Sequence, residues 1–150
     1  MIRLSQRNPA WASNKLGLSL LTLGRYGCTT TSISMLSDYF SQYISPDKIA
    51  SHGEWYTKDG LILWDKLSFG KFKFVKRGYG QNDADICEYL KDPKKAVILE
   101  VNNRAHWVVA IKKALFSKDN YIVADPWYGR DVDCKKVYHN ITGYALFSRL

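Results

Sequence analysis

Three residues in this 150-residue chain are of types that together perform acyl transfer: Cys28, His106 and Asp125. Cys28 stands directly after a glycine in RYGCTTTSISMLSDYF. Downstream, Ile33, Leu36, Phe40 and Tyr43 recur at the interval of a helical face, which predicts an amphipathic helix from about Cys28 to Tyr43. A thiol at such a helix start lies near unpaired backbone N–H groups and the positive end of the helix dipole, both of which favour the thiolate. His106 opens the apolar run HWVVAI, and Asp125 closes NYIVAD. If these runs pair antiparallel with Ile111 opposite Asn120, His106 falls opposite Asp125 on the same face. The expectation is a histidine oriented by a carboxylate and able to hold the thiol proton. Attack on a carbonyl also needs an oxyanion hole, met by the Cys28 backbone N–H and one side-chain donor. Gln6, in LSQRNPAW, is the candidate donor, because a neutral amide donates without changing its charge.

Alone, each residue has an ordinary role. A cysteine before an apolar helix is commonly a small buried residue, and a histidine at a strand end or an aspartate in a turn commonly bonds to backbone. Their coincidence points to a site. Trp107 and Trp127 flank the histidine and aspartate and are candidates for lining a substrate cleft or for core packing. Cys87 fits the apolar face of a short helix, and Cys134 carries no clear signal. No CxxC pair exists, and His52, His106 and His139 make no zinc-ligand spacing with the cysteines. No metal, cofactor or disulfide framework is expected.

The elements that must position these residues follow an α+β order. After the helix at Cys28 comes SPDKIASHG, with Ser45 as N-cap and Pro46 at the first helical position. GLILWDKLS reads as another short helix, KFKFVKR as a strand with Phe72 and Phe74 inward, and NDADICEYLKDP as a capped helix. KAVILEV, AHWVVAI, NYIVAD and GYALFS follow as strands. The expected architecture is one domain spanning 1–150, with N-terminal helices packed on a C-terminal antiparallel sheet.

These pieces resemble the papain-fold cysteine peptidases related to the double-glycine leader peptidases of bacteriocin exporters, and more closely their stand-alone relatives in bacteria and phages. LSQRNPAWASNKLG, YGCTTTSISML, SPDKI, AHWVVA and ADPWYG carry the resemblance, in family order over most of the chain. It implies Cys28 as nucleophile, His106 as base, Asp125 as orienting acid and Gln6 as oxyanion donor. Many papain-like enzymes place that glutamine a few residues before the cysteine. Here it precedes Cys28 by 22 positions, so the intervening segment must fold back.

The formal charge of +8 and pI near 9.4 suit an anionic partner. Combined with the resemblance, this suggests a phage- or prophage-encoded hydrolase of peptide or isopeptide bonds in cell-wall peptides. A transamidating variant would use the same triad. The alternative is an inactive papain-fold binding module. Nucleic-acid binding through KFKFVKR is not expected, since no recognition motif accompanies it. No apolar run reaches membrane-spanning length, and MIRLSQRNPAW has no apolar signal-peptide core. Cytoplasmic synthesis is therefore expected, with later release or virion association compatible.

Overall fold

The computed structural model describes residues 1–150. Its strands are β1 (Phe72–Tyr79), β2 (Lys95–Val101), β3 (His106–Lys113), β4 (Tyr121–Asp125), β5 (Arg130–Asp133) and β6 (Ile141–Arg149). They form one six-stranded sheet in the order β1-β6-β2-β3-β4-β5, every pair antiparallel. The helices are α1 (Leu23–Tyr26), α2 (Cys28–Tyr39), α3 (Pro46–Ala50), α4 (Asp83–Lys91) and α5 (Cys134–Tyr138). The fold class is α+β, as expected.

Both faces of the sheet are covered, which explains why KAVILEV is a continuous apolar run: every β2 residue after Lys95 is buried. On one face Ile33, Met35 and Leu36 of α2 share a core with Ile98, Val109, Ala124 and Phe147. On the other, Ile86 of α4 packs with Val97, Leu99, Val108 and Val123. Helices thus flank the sheet on two sides, and β1 precedes α4, so the expected division into helical first half and sheet second half is too simple.

Helix α2 is not amphipathic in the expected sense. Nine of its twelve residues are buried, five of them serine or threonine: Thr30, Thr31, Ser32, Ser34 and Ser37. Small side chains allow close packing on β3, and several hydroxyls find partners: Ser32 donates to the Trp107 carbonyl (3.3 Å) and Ser34 to that of Ile44 (2.6 Å). The helix stops at Tyr39, not Tyr43. Ser41 takes a left-handed backbone (φ 61°), Ser37 Oγ accepts the Ile44 N–H, and Tyr43 is left half exposed.

Three other expectations change. GLILWDKLS forms only a 3-10 turn, Trp64–Lys66, because its backbone is already used: Tyr56 bridges to Ile62, and the Leu63 N–H bonds to the Trp55 carbonyl (2.8 Å). In β1, Phe72 is fully buried but Phe74 only partly, a bulge separating Phe74 from Lys76. The segment Arg130–Tyr138, unread in the sequence, is β5 followed by α5. Asp133 caps α5 by accepting the Lys136 N–H (3.1 Å). No helix is long and apolar enough to cross a membrane.

Candidate active site

The β3–β4 register differs from the expected one by two residues. Val109 pairs with Ala124 and Ala110 with Val123, and a bulge at Ile111 shifts the rest. Continued one step, this register sets Val108 opposite Asp125. A slip of two preserves the face of every side chain, so His106 becomes the diagonal neighbour of Asp125, still within reach of a long side chain. The contact forms: His106 Nε2 lies 2.8 Å from Asp125 Oδ1. His106 is the first residue of β3 and Asp125 the last of β4, which puts the pair at one end of the sheet.

Asp125 is fully buried, and both its oxygens are engaged. Oδ1 also accepts the Trp127 backbone N–H (2.8 Å), and Oδ2 accepts the Tyr138 hydroxyl. Burial and the adjacent carboxylate push the Tyr138 phenol upward, so it stays protonated as a donor. Asp131, the other acid near this turn, pairs instead with Arg3. Tyr138 went unnoticed in the sequence, because nothing in DCKKVYHN marked a helix aimed back at Asp125.

Cys28 opens α2 and reaches the same sheet end from the opposite face. Burial raises its thiol, but the His106 imidazole, the Trp107 backbone N–H and the Thr29 hydroxyl outweigh this, and the net shift is downward. His106 moves the other way. Burial disfavours its charge, yet Asp125 and Cys28 together raise it to about 9. With Nε2 committed to Asp125, Nδ1 is the ring nitrogen left for the thiol. The two shifts, the thiol downward and the imidazole upward, have the signs that favour a thiolate–imidazolium pair. Cys134 shows the contrast: burial and the charges of Asp133 and Asp125 push its thiol up to about 12. Cys87 is half-buried, its sulfur 3.6 Å from the Tyr121 hydroxyl.

Gln6 reaches the site because the N-terminal segment is tied to the turn after Asp125. The Gln6 N–H bonds to the Pro126 carbonyl (2.8 Å), and Arg7 Nε to that of Trp127 (3.0 Å). Gly129, at φ 69°, closes the turn and passes so near Ser5 that an added Cβ would lie 3.1 Å from the Ser5 Cβ. The Gln6 side chain is buried, with Nε2 donating to the Gly24 carbonyl (3.2 Å). That carbonyl can face only the NH2 end, which leaves one further N–H for an oxyanion.

Cys28, His106 and Gln6 line one open cleft of about 450 Å3, together with Trp107, Trp127 and Tyr138. Trp107 does both things expected of it as alternatives. It borders the cleft and packs on Trp64 (5.1 Å) and beneath Arg77 (4.6 Å). Trp127 is only half-buried and carries Arg7 on its ring (4.5 Å). Comparison with protein-family models, curated proteins and solved structures found no match to the chain.

Proposed function

We propose that the protein is a papain-like cysteine hydrolase of peptide or isopeptide bonds. The observation that carries this reading is the convergence of Cys28, with a lowered thiol, and Asp125-bound His106 on a cleft that also holds Gln6. The Cys28 thiolate attacks the carbonyl carbon, and the developing oxyanion takes the Cys28 N–H and the free Gln6 Nε2–H. His106 gives its Nδ1 proton to the departing amine as the C–N bond breaks, leaving a thioester. The neutral imidazole then takes a proton from water, the hydroxide attacks the thioester, and C–S cleavage releases the acid and restores the ion pair. Asp125 fixes the ring and stabilises its charge. An amine in place of water would give transamidation. Cell-wall peptides are the first substrates to try, on the strength of the basic charge, with released amines as the readout.

The deciding experiment is the pH profile of iodoacetamide alkylation, mapped by peptide mass in wild type and His106→Ala. Cys28 reacts well below pH ~8.5, the value of an ordinary thiol, while the fully buried Cys134 stays unmodified. The advantage disappears in His106→Ala. Equal reactivity of Cys28 in the two proteins would reject the hydrolase and leave the cleft as a binding module.

A further inference from the structure

We infer that the cleft selects carboxylate-bearing peptides, with Arg25 and Arg104 reading negative charge on either side of the bond cleaved. This rests on the hydrolase reading above. Among the residues lining the cleft are both arginines, and none is aspartate or glutamate. Two more, Arg7 and Arg130, stand beside it, stacked on the cleft residues Trp127 (4.5 Å) and Tyr128 (5.2 Å). All four are exposed and none has a carboxylate partner, whereas Arg3 and Arg77 elsewhere each pair with an acid. Unpaired cations around a concave, aromatic-walled site focus positive potential into it, and the protonated His106 adds to the same field. The planar guanidinium fork matches a carboxylate two bonds at a time.

The backbone holds Arg104 at this position. Asn102, Asn103 and Arg104 all take positive φ (55°, 51° and 69°), in the tight turn leading into His106. Asparagine tolerates that region, but arginine does so at a cost. The turn presents both Asn102 and Arg104 to the cleft. Because His106 protonates the departing amine, the leaving segment lies on the His106 side, where Arg104 stands. The acyl segment lies toward Gln6 and Gly24, beside Arg25.

The test compares iodoacetate with iodoacetamide at Cys28, using their rate ratio so that general changes in thiol reactivity cancel. The wild-type ratio exceeds that of free cysteine. It falls by about fivefold in Arg104→Gln and in Arg25→Gln, as expected for losing one charge near the thiol at moderate screening. Circular dichroism checks that the variants fold. Protection from iodoacetamide is then measured with an amidated glutamate-containing hexapeptide, its glutamine analogue, the analogue with a free C-terminus, and a single-stranded oligodeoxynucleotide. Stronger protection by the first supports side-chain carboxylates, and by the third a terminal carboxylate. A ratio unmoved in both arginine variants overturns the inference, as does best protection by the oligonucleotide or no difference among the peptides. Loss of the wild-type advantage over His106→Ala toward neutral iodoacetamide is a separate result that removes the hydrolase reading itself.

Discussion

At the scale of single residues, the site depends on two buried groups that hold charge against burial. In the fold His106 keeps its proton above the unfolded value of ~6.5, so its share of stability is complete below ~6.5 and lost as pH rises through its native value. That native value is about 9. Cys28 has the opposite sign: its share is present above ~8.5 and lost as pH falls through the lowered native value. On the proposed hydrolase reading, which needs the imidazolium, activity declines on the alkaline side near pH about 9. Asp125→Asn moves that alkaline limb toward ~6.5 in a pH–rate profile, because the neutral amide no longer stabilises the cation. Tyr138→Phe strips the donor from Asp125 Oδ2. An unsatisfied buried carboxylate oxygen costs about 1–3 kcal/mol, readable as a lower urea midpoint. With the carboxylate less shared, the alkaline limb moves up in Tyr138→Phe, a shift that a purely structural role would not produce.

Among the elements, the ion pair between β1 and β2 supports the cleft wall. Arg77 of β1 lies between Tyr79 (4.4 Å) and Trp107 (4.6 Å) and bonds to Glu100 of β2 (2.7 Å). Gly143 of β6 makes room for it, since an added Cβ would lie 2.4 Å from Arg77 Nη1. Both side chains are largely buried. Glu100→Ala is expected to destabilise by about 3–5 kcal/mol in urea unfolding, because it leaves a buried guanidinium unpaired, and Arg77→Met with Glu100→Leu recovers most of the loss. This pair was not legible in sequence, since nothing local links position 77 to 100. The His106–Asp125 contact was legible for a specific reason. Strand alternation fixes which face a side chain takes, so a register wrong by two residues still put His106 and Asp125 together. A slip of one would have separated them. Helix α2 was found by its apolar stripe, but its end was misjudged, because the contacts of Ser37 and the backbone of Ser41 that terminate it have no hydrophobic signature. Likewise α5 and Tyr138 were missed, as a polar five-residue helix is set by the elements around it.

For the whole molecule, the two titrations combine. The Cys28 share falls as pH drops below ~8.5 through its lowered native value, and the His106 share falls as pH rises above ~6.5. The difference in urea midpoint between wild type and Cys28→Ala therefore shrinks from neutral pH to pH 10, as His106 loses its proton near pH about 9 and no longer attracts the thiolate.

The strand order carries a consequence for biosynthesis. Strand β6 follows every other element in the chain, yet it lies inside the sheet, hydrogen-bonded to β1 on one side and β2 on the other. A ribosome releases Cys28 before any strand and β6 after the other five. Until β6 arrives, β1 has no neighbour in the sheet and β2 is an open edge, with Ala145 and Phe147 absent from the core that backs α2. Such long-range closure is slow and comes late. The nascent chain therefore carries Cys28 without the complete scaffold that brings it to His106 until β6 fills the sheet from the middle.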